Sequence, residues 1–119
     1  MKIIRLNEVP VEERGGYSIK RLFTEKLSKN PDNVGFYETT VPQGGVCGHH
    51  YHEQLDEIIM FLTKAQMRVE DKIHSFVQGD IVILKPGDKH EFIAKECELK
   101  LIAVKLPNIV EDKVKVWIS

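Results

Sequence analysis

The chain has 119 residues, of which 42% are hydrophobic and 29% charged, a composition typical of an ordinary globular domain. Its formal net charge of −1 argues against a broad surface for nucleic acid or for an anionic membrane. The sequence contains no run of about 18 apolar residues, so no membrane-spanning helix is predicted. The two cysteines, Cys47 and Cys97, form no paired motif, which favours a reducing compartment. We therefore expect one cytoplasmic domain covering residues 1–119.

Short apolar segments separated by turn residues follow one another along the whole chain, in the pattern of strands and hairpins. The segment 17–27 has mixed periodicity, and a strand is favoured there over a helix. About ten short strands without a long helix predict an all-β barrel or sandwich. The predicted strands are 2–6, 17–27, 34–41, 57–63, 65–70, 73–78, 81–84, 90–94, 99–106 and 114–118.

One histidine-rich stretch carries most of the chemistry, and it reads GGVCGHHYHEQLDE over residues 44–57. Side chains on a strand alternate between faces, so His50 and His52 point the same way. Glu57 follows at the start of a strand, and His90 stands where a later strand meets a turn. We hypothesise that these four residues meet around one metal ion, with three nitrogens and one carboxylate. An octahedral metal would then keep two positions open for water, substrate or dioxygen.

The residues alone leave other interpretations open. Two histidines two positions apart are more often surface polar groups or hydrogen-bonded core residues, and His90 could satisfy a turn carbonyl. The stretch from His52 to Asp56 superficially resembles the zinc-protease pattern H-E-x-x-H, but Asp56 stands where the second histidine must be. A zinc finger is excluded because paired cysteines are missing.

Two spaced motifs resemble those of the cupin superfamily. The first, within residues 44–64, reads Gly44-x5-His50-x-His52-x4-Glu57. The second, within residues 79–94, reads Gly79-x6-Pro86-Gly87-x2-His90. The resemblance is closest to small single-domain cupins of the conserved-barrel type. Two positions depart from the usual pattern, where Lys64 replaces a glycine and Ala94 replaces an asparagine.

The resemblance implies a double-stranded β-helix, or jelly roll, that binds one divalent metal ion through His50, His52, Glu57 and His90. Manganese, iron, nickel and zinc are not distinguished by these ligands. The resemblance also implies a homodimer, in which 17–27 and 114–118 could pair across subunits.

Strand alternation also predicts an apolar cup around the metal, the usual composition of a small-molecule site. Two of its members share a face with Glu57, one shares a face with His90, and two border the ligands in the preceding loop. Some of the aromatic members could equally be plain core residues. The candidate pocket residues are Ile59, Phe61, Phe92, Gln43 and Cys47.

These features indicate a metalloenzyme that acts on a small organic molecule. A redox metal would suit a dioxygenase-like reaction, and a non-redox metal would suit Lewis-acid chemistry such as decarboxylation or sugar-phosphate isomerisation. No cluster of arginine and lysine is predicted inside the cup to clamp a phosphate. The alternative is a non-catalytic module that binds or senses a metal or small ligand. A metal-free carbohydrate epimerase is disfavoured by the intact ligand set.

Overall fold

The computed structural model describes residues 1–116, which form short antiparallel strands and one 3₁₀ turn, Leu6–Glu8. No helix within this part of the chain is long and apolar enough to cross a membrane. The predicted strand 114–118 is described only in part, since Trp117 and Ile118 lie outside the described residues. The strands are β1 (Lys2–Ile4), β2 (Glu12–Glu13), β3 (Ser18–Ile19), β4 (Gly35–Val41), β5 (Val46–Tyr51), β6 (Asp56–Phe61), β7 (Ala65–Val69), β8 (Lys72–Phe76), β9 (Ile81–Leu84), β10 (His90–Ile93), β11 (Leu99–Leu106) and β12 (Val114–Lys115).

Ten of these strands build two five-stranded sheets, and the all-β prediction is confirmed. The first sheet has the order β1-β9-β6-β11-β4, and the second has the order β12-β5-β10-β7-β8. The pair β2-β3 forms a small separate hairpin. Inward-facing side chains from both large sheets make one continuous apolar core, so the sheets pack face to face. The two sheets together form the predicted jelly roll.

The core follows the alternation that the sequence shows. Along β11, Leu99, Leu101 and Ala103 are buried, while the residues between them face outward. Ile59 and Phe61 of the neighbouring strand β6 are completely buried. Burying an aliphatic or phenylalanine side chain contributes about 1.5–3 kcal/mol, so these strands supply much of the stability of the barrel.

The prediction of a strand over 17–27 is wrong for most of that segment. Only Ser18–Ile19 pairs, with Glu12–Glu13, and the residues that follow run irregularly over the outer face of the first sheet. Leu22 and Phe23 pack there against the apolar side chains of Ile4, Ile81 and Ile83. The mixed periodicity of 17–27 reflects this irregular course, because an unpaired segment needs no strict alternation of apolar and polar residues.

The homodimer, for which pairing of 17–27 and 114–118 across subunits was considered, stays a prediction.

The turn that precedes β10 is joined to the end of the histidine-rich stretch. Gly87 has a φ of +90°, a left-handed conformation that glycine adopts without steric cost. In this conformation its N–H donates a hydrogen bond of 2.8 Å to the carbonyl of His52. The second motif is therefore fixed against the first by the backbone itself.

Asp112 fixes the loop between β5 and β6. Its carboxylate accepts hydrogen bonds from the backbone N–H groups of Glu53, Gln54 and Leu55, at 2.8, 2.9 and 3.1 Å. Burial alone would raise the pKa of Asp112, but these three donors stabilise the ionised form and lower the pKa below its ordinary value. The charged carboxylate is thus part of the folded loop.

We expect Asp112→Ala to lower the free energy of unfolding by about 3 kcal/mol at pH 7, because three backbone donors lose a charged acceptor. A carboxyl whose pKa is lowered by folding contributes stability above its unfolded pKa of about 3.9 and loses it as the pH falls further. The deficit of the variant should therefore be full at pH 7 and shrink below about pH 4. Urea unfolding of metal-free protein over this pH range measures it.

Glu111→Ala is the matched control, since this neighbouring carboxylate is exposed and should change the free energy of unfolding little. A deficit for Asp112→Ala that equals that of Glu111→Ala, or that is constant down to pH 3, would contradict the role of the ionised carboxylate.

Candidate metal centre

Three histidines converge at one end of the barrel, as predicted from their spacing. His50 on β5 and His90 on β10 are direct cross-strand partners, and their ring centroids lie 4.3 Å apart. His52 follows β5, and its ring lies 5.3 Å from that of His50 and 5.7 Å from that of His90. One nitrogen from each ring lies within 4.8 Å of the other two. These three buried side chains can hold a metal ion.

Glu57 reaches the same point from the other sheet. It lies at the start of β6, and its Oε1 is 3.3 Å from Nε2 of His52 and 3.5 Å from Nε2 of His90. The carboxylate is buried, with a relative exposure of 5%. The cluster therefore lies between the two sheets, and their packing sets the separation of its donor atoms.

All three imidazoles are oriented by backbone carbonyl groups. Nδ1 of His50 bonds to the carbonyl of Gly48 at 2.7 Å, and Nδ1 of His90 bonds to that of Asp88 at 2.8 Å. Nδ1 of His52 bonds to the carbonyl of Asp112. Since a carbonyl oxygen only accepts, each Nδ1 carries the hydrogen, and in the neutral ring Nε2 keeps its lone pair. This is the orientation that a metal-binding histidine needs.

The atoms that face the centre lack partners. Nε2 of His52, Nε2 of His90 and Oε1 of Glu57 are buried, and none of them has a hydrogen bond among the described residues. Two lone pairs and a carboxylate oxygen at these distances repel one another unless a proton or a cation lies between them. The donor set of imidazole nitrogens and one carboxylate fits a divalent transition metal.

The pKa values describe how the cluster is charged without metal. Burial, followed by the neighbouring His90, lowers the pKa of His50 to about 4, so this ring is neutral at pH 7. Burial also acts to lower the pKa of His52, but the nearby Glu57 carboxylate and the carbonyl of Asp112 outweigh it and raise this pKa. Burial would raise the pKa of Glu57, yet the nearby imidazoles of His52 and His90 hold it far below its ordinary value. Without metal, the Glu57 carboxylate therefore favours a proton on His52.

The predicted pocket residues divide into two groups. Ile59 lies two positions beyond Glu57 on the inward face of β6, and Phe92 meets the ring of His90 edge to face at 5.8 Å. Phe61 is deeper in the core, where its ring stacks on Phe76 at 4.6 Å. All three residues belong to the apolar core, and of them Phe92 contacts a histidine of the cluster.

Gln43 and Cys47 were both predicted to lie in a loop, but Cys47 lies within strand β5 and only Gln43 is in the turn before it. Cys47 pairs with Phe92 across the sheet and packs partly against the core. Gln43 is exposed in the turn that precedes β5, next to a bond between Gly44 N–H and the Ala94 carbonyl. Strand β5 runs from this turn toward His50, and the place of Gln43 in the pocket stays a prediction. Strand alternation assigns a face but not a depth along the barrel.

Two residues near the cluster were missed in the sequence. Lys105 is the cross-strand partner of Glu57, and the inward alternation of residues 99, 101 and 103 would have indicated it. The positive charge of Lys105 acts to lower the pKa of His52. Its effect is weaker than those of burial, Glu57 and Asp112. The carbonyl of Asp112 orients His52 from sixty residues away, and no local pattern signals that contact.

No protein-family model and no curated protein sequence matches the chain. Solved structures do match. A double-stranded β-helix domain protein from Klebsiella pneumoniae is 14% identical, with a TM-score of 0.66 over 80% of this chain and 84% of that one. The DMSP lyase DddQ from Ruegeria pomeroyi is 20% identical, with a TM-score of 0.64; the match covers 71% of this chain but only 44% of the lyase.

A cupin 2 conserved barrel domain protein from Salinispora arenicola is 23% identical, with a TM-score of 0.57 over 69% of this chain and 70% of that one. Likeness at such low identity concerns the fold and leaves the activity open. The chain therefore has the double-stranded β-helix fold of the cupin proteins.

Proposed function

We propose that His50, His52, Glu57 and His90 bind one divalent metal ion, and that this centre is the active site of a metalloenzyme for a small organic molecule. One observation carries the proposal. Backbone carbonyls hold all three imidazoles at Nδ1, and the unpartnered Nε2 atoms of His52 and His90 face a buried carboxylate oxygen of Glu57. These groups repel one another when no proton or cation lies between them. A divalent cation relieves this repulsion.

The chain supplies the environment for the reaction. Four protein donors leave two positions of an octahedral ion for substrate and a second small molecule. Ile59 and Phe92 border the donors with apolar surface, which excludes water and strengthens the electrostatic field of the site. The bound ion would supply Lewis acidity and, for iron or manganese, electron transfer.

The identity of the bound metal would determine which of the proposed reactions the site can catalyse. Iron would suit a dioxygenase-like reaction, while manganese, nickel or zinc would suit decarboxylation or sugar-phosphate isomerisation. The fold shared with a DMSP lyase adds DMSP to the compounds worth testing. Cytoplasmic location stays a prediction, as does the dimer, which sedimentation velocity would test.

We expect about one metal ion per chain after expression in medium supplied with manganese, iron, nickel and zinc, as measured by inductively coupled plasma mass spectrometry. His52→Ala should weaken metal binding by more than about 100-fold, since removal of a group that only orients a ligand already costs 10–100-fold. His74→Ala on strand β8 is the control, because this histidine lies outside the cluster. A metal content far below one per chain in the unaltered protein would end the proposal.

Metal affinity should rise with pH. A protonated His52 cannot bind metal, and its pKa lies above the ordinary value of about 6.5. Metal binding should therefore release a proton near pH 6.5, which calorimetry in buffers of different ionisation enthalpy measures. Binding without proton release at pH 6.5 would show that the His52–Glu57 pair is not the metal site.

Turnover is tested separately for each metal form. Oxygen uptake by the iron protein is measured with thiols, diols and keto acids. Product formation by the manganese, nickel and zinc proteins is measured with sugar phosphates, dicarboxylates and DMSP. Turnover that disappears in His52→Ala supports an enzyme. A fully loaded protein that turns over no substrate, but binds one of these compounds, would instead be a non-catalytic binding module.

A further inference from the structure

Lys105 brings a positive charge to the inward side of the first sheet, near the proposed metal centre. Strand β11 lies between β6 and β4, and Lys105 pairs with Glu57 on one side and with Gly35 on the other. Directly paired residues of antiparallel strands share a face, so the lysine continues the inward row of Leu101 and Ala103. Apolar residues fill that row in the core, and it ends in Lys105, a half-buried residue whose cross-strand partner is Glu57.

The lysine lies over an aromatic ring that is itself held in place. Nζ of Lys105 is 5.0 Å from the ring centroid of Tyr37, within the range of a cation–π contact. The hydroxyl of Tyr37 donates a hydrogen bond of 2.6 Å to Oδ1 of Asn108. With Oδ1 used as an acceptor, the amide NH₂ of Asn108 keeps its donors for another partner.

Gly35 makes this arrangement possible. A Cβ atom at this position would lie 2.5 Å from Oδ1 of Asn108 and 2.8 Å from Cε2 of Tyr37, closer than such atoms approach in proteins. The tyrosine ring and the asparagine side chain occupy the space that a larger residue would need. We call Gly35, Tyr37, Lys105 and Asn108 the Lys105 cluster.

The charge of Lys105 is not neutralised within the described part of the chain. Lys85 and Lys100 each lie within ion-pair distance of a carboxylate, whereas Lys105 has no such partner among residues 1–116. A divalent ion at the centre adds two positive charges, and Glu57 subtracts one. The space between the metal and the Lys105 cluster would therefore carry a positive potential that attracts an anion.

We propose that the Lys105 cluster binds a carboxylate group of the substrate, so that the metal centre acts on a small organic acid. The inference rests on the proposed metal centre and narrows its substrate class. Lys105 pairs with the carboxylate, while the Asn108 amide donates a second hydrogen bond. Phosphate is usually clamped by several cations or by bidentate arginine, and a single lysine with one amide suits a carboxylate better.

Calorimetric titration of the nickel-loaded protein tests the inference. The probes are oxalate, malonate and succinate, with malonamide as a neutral analogue and inorganic phosphate as a second anion. We expect one of the dicarboxylates to bind more tightly than malonamide and phosphate. Lys105→Met should weaken its binding about tenfold or more, as expected for loss of one charge-assisted hydrogen bond, and Lys105→Arg should retain most of it.

Lys100→Met is the matched control, since this lysine lies on the same strand, five residues earlier and on the outward face, beside Glu98. Its dicarboxylate affinity should equal that of the unaltered protein. Tyr37→Phe keeps the ring under the ammonium but loses the bond to Asn108, and we expect a smaller loss of affinity than for Lys105→Met. The melting temperature of each variant checks that it is folded.

The metal content of each variant separates the two proposals. Unaltered metal content in Lys105→Met with weakened dicarboxylate binding supports the inference. Equal dicarboxylate affinity in Lys105→Met and in the unaltered protein, with nickel bound in both, overturns the inference and leaves the metal centre standing. Tighter binding of phosphate than of any dicarboxylate overturns the assignment to carboxylic acids. Failure of the unaltered protein to bind nickel overturns the metal centre itself.

Discussion

The barrel buries three imidazoles and one carboxylate close to one another. Glu57 approaches His52 and His90 from the opposite sheet, and the Nδ1 atoms of all three histidines are occupied by backbone carbonyls. Burying such groups without partners costs several kcal/mol, so the folded chain needs a cation or a proton there. In the metal-free protein, Glu57 raises the pKa of His52 although burial acts to lower it. The buried carboxylate thus favours a positive charge next to it.

The convergence depends on backbone register, and for that reason the sequence predicts much of it. Strand alternation sends His50 and His52 to one side, and antiparallel pairing puts His90 opposite His50. A left-handed glycine at Gly87 joins the turn before His90 to the His52 carbonyl. The alternation repeats with a period of two and can be read without coordinates, whereas the pairing of His90 with His50 and the bond from Gly87 to His52 join segments that are distant in the chain.

Other features depend on contacts between distant segments, which leave no periodic signal. Asp112 binds the loop after His52 from the far end of the chain, and Leu22 and Phe23 cover the outer face of a sheet without forming a strand. Depth along a strand is also hidden: Phe61 shares the inward face with Glu57, and its ring stacks on Phe76 in the core. Alternation distinguishes inside from outside and does not distinguish the mouth of a barrel from its floor.

The two sheets contribute different chemistry to the centre. The second sheet and the loop after β5 supply imidazoles held by backbone carbonyls, whereas the first sheet supplies the carboxylate of Glu57 and its cross-strand partner Lys105. Metal binding would therefore depend on both sheets, but the charge offered to a substrate would depend on the end of β11 and on its neighbours Gly35 and Asn108. Because function depends on the residues of the site and not on the fold, a shared barrel could hold the same metal in many proteins while the residues at such a strand end select the substrate.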